Sequence, residues 1–234
     1  MSARPVVHVL TDGSGCDGES RIGSTSELLA GAGAVPGSIY GRMTDREIYG
    51  AILAADHPRF IALAEELAAD LIRHHVDLVA GDGVEGFNPS HDVCRYVINA
   101  AVRLASAGRG RAIACYAFPL DGPPNAGAAN GKALRVQLDD AMLERKLQAA
   151  HAYAELRPEV QRTLERFGAE PFRIESLWPV DLSDPYGWDP GRIPFYESYG
   201  AERVASGAYE HVVTFREHVK PLAEALWCHS AGTA

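Results

Sequence analysis

Three side chains able to move a proton or hold a cation stand where short apolar runs give way to polar turns: Asp12 in Thr11-Asp12-Gly13-Ser14-Gly15, Asp82 in Gly81-Asp82-Gly83, and His91 in Asn88-Pro89-Ser90-His91. An imidazole with two carboxylates is a donor set for metal-assisted hydrolysis. Together they would ligate a divalent ion such as zinc, lower the pKa of a bound water and polarise an amide or ester carbonyl. His91 alone would serve as a general base. Asp-Gly pairs also suit turns that carry no chemistry. Ser14, Arg21, Arg42, Asp45, Glu85 and Asn88 lie in the same or neighbouring loops and are the candidate substrate contacts, Arg21 and Arg42 as clamps for a phosphate or carboxylate. The turn at Gly13 to Gly15 also reads as an anion cradle, although it lacks a Walker lysine. In that reading the chemistry is group transfer to a sugar.

The elements that must position these groups alternate along the chain. Val6 to Leu10 reads as a buried strand, Ser24 to Leu29 as a helix start, and Ser38 to Gly41 as a second strand, with Arg42, Thr44 and Asp45 in the loop after it. Phe60, Leu63, Ala64, Leu67, Leu71 and Ile72 recur at helical spacing from His57 to His74. A strand from Val76 to Ala80, a helix from Asp92 to Ala105 and a strand from Ala112 to Phe118 repeat the order. The loop Asp121–Gly131 is a candidate lid. Helices over Asp139–Leu156 and Glu159–Phe167 follow, then a proline-rich wrap from Trp178 to Phe195 and a final helix from Gly200 to Trp227. This is the pattern of an α/β fold with a mainly parallel sheet, helices on both faces, and an irregular and helical C-terminal extension. In such sheets the site lies at the carboxyl ends of the strands, where the loops named above converge. His8, inside an apolar strand, reads as a hydrogen-bonded core residue, and His74-His75 as a helix terminus.

The chain has 234 residues, 47% hydrophobic and 23% charged, with a formal charge of -9. This composition suits one domain and argues against a nucleic-acid or anionic-membrane partner, which would need a basic face. Its four cysteines show no C-x-x-C spacing, so zinc ribbons and dithiol motifs are excluded and a reduced, cytoplasmic setting is expected. Neither a signal peptide nor a membrane span is predicted. A small-molecule substrate is expected, and a homo-oligomer is left open.

Several blocks in one order resemble the PIG-L (LmbE-like) N-deacetylase family. His8 to Gly15 resembles the family's strand with its L-T-D-G-E-G ending, with Arg21 following at a similar distance. Gly37 to Asp45 resembles its F-L-G-L-P-D-G block, and Val76 to Ala80 its P-D-V-V-L strand. Asn88-Pro89-Ser90-His91 stands where the family has H-P-D-H. Glu144-Arg145-Lys146-Leu147 resembles its E-R-K-L helix, and Ala169 to Arg173 its A-E-x-F-R. The resemblance implies a Rossmann-like core over residues 1–177, a C-terminal wrap and helix over 178–234, and a hydrolase acting on an N-acyl amino-sugar or similar small polar metabolite. The family's opening A-H-P-D-D, source of two zinc ligands and the general base, is absent. In a second register the turn at Asp12 stands in its place. Of the H-P-D-H ligands only His91 has a counterpart, and one imidazole cannot hold a catalytic zinc. What the resemblance implies is therefore either a site rebuilt on His91, Asp12 and Asp82, or a non-catalytic or repurposed member binding a sugar, nucleotide or partner protein in the same cleft without metal.

Overall fold

The computed structural model describes residues 4–15, 18–121, 133–189 and 191–232, along which strands alternate with helices. In chain order these are β1 (Val6–Thr11), α1 (Ile22–Gly31), β2 (Val35–Met43), α2 (Asp45–Leu53), α3 (His57–Arg73), β3 (Leu78–Asp82), α4 (Pro89–Arg109), β4 (Ala114–Phe118), β5 (Leu134–Gln137), α5 (Asp140–Ala152), α6 (Arg157–Phe167), β6 (Ile174–Pro179), α7 (Phe195–Ala205) and α8 (Lys220–Ala231). The fold is α/β, with parallel strand pairs accompanied by helices and a helical C-terminal segment. Two compact units share the chain: Met1–Asp45 with Gly122–Trp178, and Arg46–Asp121 with Pro179–Ala234. Among the described residues no helix is long and apolar enough to cross a membrane. From residue 122 onward the candidate lid lies outside the described residues.

In the first unit β1 runs parallel to β2, and the register shifts twice so that six residues oppose nine. Glycines in β2 make room for this. A Cβ at Gly37 would stand 2.3–2.6 Å from the His8 ring, whose Nδ1 accepts from the Ile39 N–H at 3.4 Å. His8 is thus a packed strand residue, as its apolar neighbours imply. Gly41 has φ +59, and a Cβ there would meet Ile22 of α1 at 2.4 Å. β5 pairs antiparallel with β6, from Leu134 opposite Leu177 to Gln137 opposite Ile174. The sequence pattern does not announce this pair, because the alternation of Leu134-Arg135-Val136-Gln137 lasts only four residues, too few to establish a strand period.

In the second unit β3 and β4 run parallel in register, Leu78 opposite Ala114 through Asp82 opposite Phe118. Helices α3, α4 and α8 pack on one another through a core that includes Phe60, Leu67, Val93, Val102, Leu222 and Leu226, all buried. The predicted face of α3 is buried as its spacing requires, except Ile72. β3 begins two residues later than the apolar run suggests, since the Val76 N–H closes α3 on the Leu71 carbonyl at 3.0 Å. The strand therefore ends on Asp82 itself. The single final helix expected over Gly200–Trp227 is two helices. α7 stops at Ser206 and Gly207, where φ is +74, and Thr214 then caps a π-helical turn, Phe215–Val219, that leads into α8. Of the three residues expected in the loop after the second strand, Arg42 lies within β2 and Asp45 opens α2, which leaves Thr44 between them.

Replacing Gly41 by Ala adds a Cβ in the left-handed region against Ile22, and should lower unfolding stability by about 1–3 kcal/mol in urea titration. An unchanged midpoint would mean that α1 can move away from β2 at little cost.

Candidate functional site

Asp82 closes β3, and the Gly83 N–H extends the ladder by donating to the Phe118 carbonyl at 3.2 Å. The chain then crosses residues 83–88 into α4. Asn88 is the N-cap, its Oδ1 accepting from Ser90 N at 3.0 Å, from Ser90 Oγ at 2.9 Å and from Tyr49 Oη at 3.0 Å, with Pro89 at the first helical position. This fixed first turn carries His91 back over the strand end. His91 Nδ1 lies 2.8 Å from Asp82 Oδ2, and the imidazole side chain is 43% exposed. A carboxylate on Nδ1 fixes the tautomer that leaves Nε2 as the basic nitrogen, and it stabilises the imidazolium formed when that nitrogen takes a proton.

One turn further along α4, Arg95 is buried at 2% exposure. Its guanidinium donates to the Asp82 carbonyl, to the Tyr116 carbonyl at 3.0 Å, to Asn99 Oδ1 at 3.4 Å and to Cys115 Sγ at 3.4 Å. It ties the C-terminal end of β3 and the middle of β4 to the helix. Gly81 gives it space: a Cβ there would stand 3.2 Å from Arg95 and 2.6 Å from Ile98. Cys94 is no nucleophile for the neighbouring imidazole, because burial, helped by the Asp82 charge, pushes its thiol up to about 12.

Asp92, also 2% exposed, reaches back from the same turn to accept from the Glu85 N–H at 3.1 Å and the Gly86 N–H at 3.2 Å. Burial outweighs these donors and the nearby His91 charge, and pushes the carboxyl up to about 7. Glu85 in turn accepts at Oε2 from Leu120 N at 3.1 Å and Asp121 N at 3.0 Å. The wrap closes the other side of the loop. Gly86, at φ +66, has Trp188 so near that a Cβ would stand 2.4 Å from its ring, and the Gly86 carbonyl accepts from Tyr196 N at 3.3 Å.

The remaining sequence candidates belong to the first unit. Asp12 Oδ1 accepts from Ser14 N at 3.0 Å, Asp45 Oδ2 accepts from Gly15 N at 2.6 Å, and Ser14 Oγ accepts from Asp45 N at 3.3 Å. Arg21 donates its N–H to the Asp12 carbonyl at 2.8 Å and lays its stem on Gly13, while Arg42 is exposed on β2. The N–H groups that would cradle an anion already hold the chain's own carboxylates. Thus Asp82, His91, Glu85 and Asn88 gather in one unit, and Asp12, Ser14, Arg21 and Asp45 form one turn in the other. Among the described residues no three or more His, Cys, Asp or Glu side chains are grouped to hold a metal ion, and the His91–Asp82 pair is short of the three protein ligands that a catalytic zinc takes.

Asp92, Arg95 and Trp188 also shape the site, although the sequence presents Asp92 as a helix start and Trp188 as an aromatic of the proline-rich wrap and singles out none of the three for the site. Only the placing of Asp92 and Arg95 one and four residues after His91 could have marked them. No protein-family model, curated protein or solved structure matches the chain.

Because the folded protein holds the Asp92 proton more tightly than the unfolded chain, the stability this group contributes is complete below the ordinary value of 3.8 and is lost as pH rises through about 7. Asp92→Asn, which keeps an acceptor and cannot ionise, should therefore gain on the wild type by about 2–4 kcal/mol between pH 4 and pH 8 in chemical denaturation. A stability difference that stays constant across that range would contradict it.

Proposed function

We propose that the chain is a hydrolase of amide bonds, a divergent relative of the PIG-L-like N-deacetylases, acting on an N-acyl amino-sugar or similar small polar metabolite. The observation that carries this reading is the 2.8 Å contact between His91 Nδ1 and Asp82 Oδ2 at the end of a parallel strand. His91 accepts a proton at Nε2 from an attacking water, and Asp82 stabilises the imidazolium. The proton then passes to the amine as the C–N bond breaks, so that base and acid are one residue. Arg95 and the Asn88 cap hold the pair in register. The order of sequence blocks that resemble the PIG-L family, among them Asn88-Pro89-Ser90-His91 at the start of α4, supports the choice of an amide substrate.

A second reading, a binding protein that has lost turnover, draws support from the polar side chains around the pair. Asn88, Glu85 and Asp92 are all engaged by backbone N–H groups and hydroxyls of the protein itself, as a structural frame requires. The two readings part in one assay. Amine release from a panel of N-acetyl amino-sugars, followed with an amine-reactive dye, should fall about 10²–10⁴-fold in His91→Ala and by a comparable factor in Asp82→Asn. Chelator should leave the wild-type rate unchanged. No amine from any substrate, or full activity in His91→Ala, overturns hydrolysis by this pair.

A further inference from the structure

Phe87, the residue before the Asn88 cap, stacks on Phe195 with ring centroids 5.4 Å apart and planes 6° from parallel. Phe195 stacks in turn on Tyr199 at 5.8 Å and 22°. Rings so arranged are usually inside a core. These are 44%, 54% and 42% exposed, and Ile193 beside them in sequence is 75% exposed. The ladder is also rigid, since Tyr196, between Phe195 and Tyr199 in α7, is buried and its N–H donates to the Gly86 carbonyl, while Trp188 fills the space above Gly86. Little freedom is left to lose when something binds there.

We propose that the Phe87–Phe195–Tyr199 ladder is a platform for a planar aromatic ring of a small neutral or cationic ligand, which adds as a further rung on the loop leading to His91. The near-parallel repeat selects a flat occupant, because only another planar ring continues an offset stack with full face contact. Size selects a small molecule. The exposed parts of the three rings and Ile193 amount to roughly 400 Å², about half of what each partner commits to a stable protein complex. Charge selects against an anionic ring, since the chain carries a formal charge of -9 and aromatic faces attract cations. The inference rests on the hydrolytic reading only for which end of the ligand would react. Binding is measured without turnover, so either idea can fail while the other stands.

Ligand-observed NMR of the full chain with benzylammonium, cyclohexylmethylammonium and benzoate tests it. Benzylammonium should bind about fivefold or more tightly than the saturated amine or the anion, and Phe195→Ser and Tyr199→Ser should each weaken it by a similar factor. Both substitutions replace exposed rings, and circular dichroism identifies a variant that has not folded; the other then serves. Equal affinity for the saturated amine, or affinity indifferent to both serines, overturns the platform. So does a concentration-dependent doubling of mass in sedimentation that the serines abolish, because the face would then belong to a second copy.

Discussion

A guanidinium taken out of water has to be met on every side, and around Arg95 that requirement organises the second unit. Its donors reach the carbonyl that ends β3, a carbonyl in the middle of β4, an amide and a thiol, all neutral, so the charge is solvated by dipoles in place of a carboxylate partner. β3, β4 and α4 can satisfy it only when all three are in register. The position of Asp82 follows from that register, and the reach of His91 from the helix that carries Arg95. Replacing the charge with a well-packed apolar side chain could preserve stability, but would release the alignment of the strand ends.

The loop between β3 and α4 is built on a different principle. Its path is held by backbone N–H groups pointing at carboxylates: Asp92 takes two of them from within the loop, and Glu85 takes two from the segment after β4. Aromatic groups close the outer side, with Trp188 against Gly86 and Phe195 on Phe87. Polar tethers on the inner side and ring contacts on the outer side thus hold the same short segment.

Much of this architecture was legible in the sequence because helical spacing is a direct image of burial. Phe60, Leu63, Leu67, Val93, Tyr96 and Val97 are buried where their periods place them. Asp82 and His91 were also legible, each at a strand end or helix start, nine residues apart with a proline-capped turn between. Their contact was not, because the apolar run suggested a strand two residues too early and left Asp82 in the loop. Asp92 and Arg95 were invisible for a stronger reason. Charged residues are the least expected in a core, and the carbonyls and N–H groups that satisfy them are supplied by segments distant in sequence. The break between α7 and α8 depends on one left-handed glycine and a π-helical turn, neither of which has a periodic signature.

The turn after β1 holds its own counterion. Asp12 accepts from Ser14 two residues away and Asp45, at the start of α2, accepts from Gly15, and a ligand joined to its site through the same chain acts at an effective concentration in the millimolar range or above. A free phosphate or sulfate would have to compete with that tethered supply while entering the field of a net-negative protein. The glycine-rich turn is therefore self-saturated: it assembles without a ligand, and its shape is buffered against the ionic composition of its surroundings.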